Sequence, residues 1–251
     1  GRLEIDGNRD GMIIGGVWGD AGWQISAYGF RVINVKRIDI SNIHSHHHCL
    51  DGVYIAGYNT STPDIRDSSI SGSIRNIVST HNSRQAASLT GGQGLSFYDC
   101  TFDKTGMPEF SVRSTPMQNL DIEGEVSDVT HIAFYNCYFG DTPTVSLAAD
   151  VAYAKNIKFY NCRVINSLGS TIWVNKPQFK FFDCYFNGFT EKQHTTNIEE
   201  DRTTYVRCEF TDDPAVNPNY KHTGYLINSW GANPLLIDCT ISMYKSGWIA
   251  D

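Results

Sequence analysis

The sequence predicts an all-β fold, a right-handed, single-stranded parallel β-helix, on three observations. First, one short frame recurs: FYDCTF (97–102), FYNCYF (134–139), FYNCRV (159–164), FFDCYF (181–186), YVRCEF (205–210) and LIDCTI (236–241). Six of the seven cysteines sit in it, at Cys100, Cys137, Cys162, Cys184, Cys208 and Cys239, spaced 37, 25, 22, 24 and 31 residues apart. Units of that length, repeated, are the mark of a solenoid. Second, no segment carries a long 3.6-residue apolar period, so helices should be few. The units are instead rich in Phe, Tyr, Ile and Val, with Asn, Asp and Gly at their turns. Third, a single register of inward and outward residues runs through many units. An antiparallel sandwich, the alternative fold, does not explain that.

The elements follow in order. GRLEIDGN reads as a strand and a turn. YGFRV (28–32) is the next strand segment. ISNIHSHHHCLDGVYI (40–55) then lies over IRNIVSTHNSRQAASL (74–89) without a gap. NLDI (119–122), TVSL (144–147) and TIWV (171–174) continue the series. In this register Phe30, Val53, Ala87, Leu120, Val145 and Ile172 point inward. Val32, Ile55, Leu89, Ile122, Leu147 and Val174 do so two residues later. Between them runs an outward column: Arg31, Tyr54, Ser88, Asp121, Ser146 and Trp173.

Each recurring cysteine follows Asp99, Asn136, Asn161, Asp183, Arg207 or Asp238. Asn and Asp are the non-glycine residues that best tolerate left-handed backbone angles. The residue before the cysteine therefore makes a corner, and the cysteine fills the narrow core behind it as a free, buried thiol.

The totals describe one globular chain. Of 251 residues, 41% are hydrophobic and 19% charged. The whole chain, 1–251, reads as a single β-helical domain, and without an initiator Met it reads as a piece of a longer protein. The net charge of −7 argues against nucleic acid as a partner, which requires a basic face. No apolar run approaches the roughly 18 residues that span a membrane, so no membrane insertion is expected.

Several constellations can carry chemistry. Asp121 and Glu123 lie two residues apart in a strand, roughly 6–7 Å along the backbone, and both are expected to be exposed on one face. Two carboxyl groups near that separation suit glycoside hydrolysis, one as acid and one as base or nucleophile. Glu125 widens the choice. Arg84, beside Gln85, can bind an acidic sugar in a two-point contact or pair with a neighbouring rung. Asp51 holds the Gln85 position one unit earlier. His44, His46, His47 and His48 cluster before Asp51, and imidazole suits acid–base work near neutrality. Consecutive histidines are expected to diverge, so no metal site is assigned. DGNRDG (6–11) begins like a calcium loop with Asp6, Asn8, Asp10 and Gly11. Its twelfth position is Val17 where that loop needs Glu, so a turn is the main reading and calcium the lesser one. Trp18, Trp23, Tyr54 and Trp173 offer faces on which sugar rings stack.

With DGN near the start, the x-N-C-x-F rungs, NSRQAASL (82–89) and NLDIEG (119–124), the chain resembles the pectate-lyase-like β-helix superfamily. That group includes polysaccharide lyases and hydrolases, mannuronan C5-epimerases and phage tailspike depolymerases. Residues 28–54 are most similar to the epimerase unit Y-G-F-D-P-H-E, but this chain reads YGFRVIN. Arg31 stands where that family has its catalytic Asp, and the His is absent, which argues against epimerase chemistry.

The resemblance implies a polysaccharide partner, an extracellular or virion-surface location and, for tailspike relatives, a homotrimer. The expected function is hydrolysis or lyase cleavage of an acidic bacterial or plant-type glycan. Asp121, Glu123, Asp51 and His48 are the candidate catalytic residues. Arg84, Gln85, Arg31, Tyr54 and Trp173 are the candidate binding residues. A lyase would use His48 as base and Arg84 or Arg31 to neutralise the uronate. The alternative is a β-helical spike segment that binds glycan or a receptor without cutting, or is purely structural.

Overall fold

A computed structural model describes residues 1–12, 26–57, 71–150, 152–220, 224–244 and 248–250. The chain winds as a parallel β-helix. Successive turns pair strand on strand in parallel, as in Arg37–His46 with Ser71–Thr80 and Phe179–Phe182 with Thr204–Val206. One sheet holds the strands that enter and leave the corner. A second runs from Phe30–Ile33 through Val53–Ala56, Gln85–Leu89, Gln118–Ile122, Val145–Ala149 and Ser170–Val174 to Trp248–Ala250. Among the described residues the helical segments are two short 3-10 turns, Arg9–Gly11 and Glu199–Asp201. Among the described residues no helix is long and apolar enough to cross a membrane.

The corner is built as its residue types require. Asp99, Asn136, Asn161, Asp183, Arg207 and Asp238 all have φ between 51° and 54°. Asn42 and Asn76, at φ 60° and 50°, make the same corner inside the longer strands of the first turns. The side chains then link the rungs. Asn76 Nδ2 donates to Asn42 Oδ1 at 2.7 Å, and Asn161 Nδ2 to Asn136 Oδ1 at 2.9 Å. Arg207 has no intrinsic preference for this angle. It sits there with a two-point salt bridge to Asp183, at 2.6 and 2.7 Å.

Behind the corner the core is a column of aromatic rings. Phe97, Phe134, Phe159 and Phe181 stack with centroids 4.6, 4.8 and 4.7 Å apart, and Tyr205 continues the column at 5.0 Å. Each such contact is worth about 0.5–1.5 kcal/mol beyond the buried area. The cysteines stack beside them, all free, with five of the six repeated ones buried and Cys239 half-buried. Cys162 Sγ donates to Tyr160 O at 3.4 Å and to Phe134 O at 3.6 Å. Burial, with the neighbouring thiols, pushes Cys137, Cys162 and Cys184 well above the ordinary thiol range. All seven thiols should therefore titrate in denaturant, and the buried Cys137, Cys162 and Cys184 should react slowly in the native protein. Cys162→Ala should cost about 1–2 kcal/mol in an unfolding titration.

The gapless alignment of 40–55 on 74–89 holds in register. One segment differs from expectation. Leu147, not Val145, pairs with Leu120 and Ile172, and Ala148, not Ser146, stands between Asp121 and Trp173. The slip is two residues, so inward and outward faces keep their sense. Ser146 instead donates to Gly140 O at 2.8 Å and closes the preceding turn.

Candidate functional site

The outward column of the second sheet carries a cavity of about 430 Å³. Tyr28, Tyr54, Arg84, Gln85, Ser88, Thr90, Pro116 and Glu123 line it. Register stacks Arg31, Tyr54, Ser88 and Asp121 on consecutive rungs. The segment 104–117 walls one side. It is tied to the turn before Gln85 by Ser114 N to Ser83 O at 3.1 Å and by Ser83 Oγ to Val112 O at 2.8 Å.

A chain of polar contacts forms the cavity floor. Arg84 donates from Nε and Nη2 to the two oxygens of Asp51, at 2.8 and 2.7 Å. Ser88 Oγ contacts Asp51 Oδ2 at 2.8 Å and also meets Gln85 Oε1. Gln85 Nε2 in turn donates to Asp121 Oδ2. Asp51 is fully buried, and burial pushes its carboxyl up while Arg84 and Ser88 pull it back. Burial works against the Arg84 cation, but the Asp51 contacts outweigh it and raise Arg84 above its ordinary value. The two-point geometry is that of a guanidinium–carboxylate ion pair.

Asp121 departs from its expected exposure. It is only 4% accessible. Gln85 of the neighbouring rung donates to its carboxylate, and Gln118 with its amide turned reaches both oxygens, so a strand face that the alternation alone would leave wet is occupied by side chains. Glu123, two residues on, is partly exposed and lines the cavity itself. Of the predicted residues, Asp51, Arg84, Gln85, Tyr54, Asp121 and Glu123 therefore meet at one place. Arg31 joins them at the rim, its guanidinium 4.6 Å from the Tyr28 ring centre and 5.4 Å from that of Tyr54.

His48 does not line this cavity. It is buried, with Nε2 3.0 Å from Ser45 Oγ. Asn82 holds the same place one rung on, donating to Ser79 Oγ at 3.1 Å. Ser45 and Ser79 each donate to the chain beyond the turn at 2.7 Å. His48 is thus one of two staples across equivalent turns. Gly29 passes directly over it, since a Cβ there would lie 1.9 Å from Ser45 Oγ and 2.6 Å from His48 Nε2.

Burial holds His48 near pH 4, against an ordinary 6.5. The unfolded chain thus binds a proton at a higher pH than the folded one. The stability His48 supplies is complete above 6.5 and is lost as pH falls toward about 4. His48→Asn, copying Asn82, should flatten that fall in urea-unfolding midpoints. His81, also lowered to about 4 chiefly by burial, should keep the remainder.

Trp173 lies two rungs from Asp121, about 10 Å along the axis. Its Nε1 donates to Asp150 Oδ2 at 3.1 Å, Lys192 stands 4.8 Å over its ring, and Trp230 is 6.0 Å away. A second groove of about 340 Å³, lined in part by Tyr153, Lys155, Lys176 and His194, holds none of the predicted residues. Trp18, Trp23 and Val17 lie outside the described residues. Asp6 accepts from Asn8 N at 2.8 Å, as in a simple turn. Tyr28, Thr90 and Pro116 line the cavity without having been singled out from sequence. Tyr28 had a signal, because it stands three residues before Arg31 in a segment already assigned to the stripe. Pro116 had none.

No protein-family model matches the chain, and no curated protein sequence does. Among solved structures, the chain is similar to the tailspike protein gp49 of Acinetobacter baumannii bacteriophage Fri1, a capsular polysaccharide depolymerase. The TM-score is 0.49 at 14% identity, over 86% of this chain and 34% of that one. The chain thus spans about a third of that protein's length. At that identity the likeness says nothing of chemistry.

Proposed function

We propose that the chain binds an extended acidic polysaccharide along its outward stripe and hydrolyses it at the cavity. The observation that carries this reading is the placement of Glu123 on the cavity wall, with Asp121 two residues before it. One carboxyl group can protonate the leaving oxygen while the other activates water or attacks. Two aromatic pairs, Tyr28 with Tyr54 and Trp173 with Trp230, lie on either side of Asp121 along the axis and offer faces for successive sugar rings. Arg31 and Lys192 beside those rings suit an acidic polymer. The resemblance of residues 82–89 and 119–124 to polysaccharide-processing β-helices points the same way. Hydrolysis is favoured over lyase cleavage because Arg84, the cation on the cavity wall, is already engaged by buried Asp51.

A second reading is glycan binding without cleavage. It is favoured by the way Asp51 and Asp121 are already hydrogen-bonded within the wall. One experiment separates the readings. The protein is incubated with a panel of acidic and neutral polysaccharides, and both new reducing ends and the ultraviolet absorbance of unsaturated ends are followed. Reducing ends alone are expected. Both signals together would mean a lyase. Retention of a glycan with neither signal would leave binding only.

A further inference from the structure

His47 turns a corner of its own. Its φ of 56° ends the strand Arg37–His46 with a left-handed residue. In a straight strand consecutive side chains take opposite faces. Here the turn brings both rings to one side, with His46 Nδ1 and His47 Nδ1 2.7 Å apart. The expected divergence of consecutive histidines fails at this residue.

A carboxylate completes the group. Asp6 pairs with His46 from the adjoining strand, and its Oδ1 lies 3.6 Å from His46 Nδ1. The three donor atoms all fall within 4.8 Å of one another. Ligand atoms about 2.0–2.2 Å from a tetrahedral zinc ion stand about 3.3 Å from each other, so small shifts suffice. The other nitrogen of His46 is held from behind. His46 Nε2 is 3.0 Å from Glu4 Oε1. A proton on Nε2 directed at that carboxylate leaves Nδ1 as the lone-pair donor, the arrangement found behind metal-bound histidines. The Asn8 N–H at 2.8 Å orients Asp6. Arg9 is the opposing charge nearby. It is engaged by Asp10 at 3.0 Å and by His81 O, and it lies 3.7 Å over the Phe110 ring.

We propose that Asp6, His46 and His47 form a site for a divalent transition-metal ion of the zinc class, with Glu4 orienting His46. The ion would clip the first strand, Leu3–Asp6, to the next rung. The site shares no residue with the cavity and stands independently of the glycan reading.

The test uses the full chain after chelator treatment. Zinc is titrated by calorimetry, and cobalt is used as a spectroscopic substitute. One ion per chain is expected, with a raised melting temperature and the visible absorption of four-coordinate cobalt. His47→Asn keeps a residue that tolerates the left-handed angle, and Asp6→Asn changes an exposed group. Each should weaken zinc binding by more than about 100-fold, and Glu4→Gln by roughly 10- to 100-fold. His131→Asn, at an exposed corner elsewhere, should change nothing. No saturable binding would overturn the proposal, as would binding indifferent to His47→Asn and Asp6→Asn. A sulfur-to-cobalt charge-transfer band would overturn it too, because the ion would then sit on cysteine.

Discussion

Arg84→Ala should destabilise the protein by about 3–5 kcal/mol, because it strands a buried carboxylate. Asp51 has no exposed surface, and Arg84 supplies two of its hydrogen bonds. Ser88 supplies one more and cannot neutralise the charge. In a chain of this size that loss corresponds to a melting temperature lower by about 6–20 °C. Asp51→Asn should cost less. It removes the charge that most needs a partner, and the Arg84 guanidinium borders the open cavity, where water can solvate it. A double-mutant cycle between the two positions should give a coupling of about 0.5–3 kcal/mol. If Arg84→Ala melts with the parent protein, the pair is not the buried ion pair described above. The same change should reshape the cavity, since Ser88 and Gln85 hand the arrangement on to Asp121.

The corners were legible because the left-handed angle has its own residue chemistry. Asn136, Asn161 and their equivalents mark one register, and a cysteine behind each repeats the mark. Where no such marker exists, register is not legible. TVSL carries no corner residue, so its register was placed two residues off at Val145 and Ser146. His47 is a left-handed corner written in His where the repeated frame mostly writes Asn or Asp, so the convergence of His46 and His47 was not marked by the repeat. The burial of Asp121 was hidden for another reason. Alternation along a strand tells which side a residue faces, not what covers that side. The carboxylate is instead met by Gln85 and Gln118, contacts that depend on how neighbouring rungs place their side chains. Residue type alone suggested chemistry at His48, whereas the structure buries it outside the cavity, in the place Asn82 holds one rung on.

Glu123→Gln should lower turnover on the responsive glycan by about 100-fold or more while leaving affinity nearly unchanged. Glu123 borders the cavity, and its backbone is fixed by the N–H bond to Leu89 O at 2.9 Å. The substitution keeps the length of the side chain and removes only its capacity to take or give a proton. Asp121→Asn is a less clean probe. The Gln85 amide already points at Asp121 Oδ2, and Gln118, with its amide nitrogen turned inward, reaches both oxygens at 3.1 Å. An asparagine there can set donor against donor in a buried wall, so lost stability and lost chemistry would arrive together. Tyr54→Ala gives the opposite pattern to Glu123→Gln, because it removes a stacking face and should weaken binding before turnover. Both kinetic parameters must therefore be measured on the same glycan. If Glu123→Gln turns over like the parent protein, no proton passes through Glu123. If affinity and turnover fall together, Glu123 holds the substrate and does not act on it.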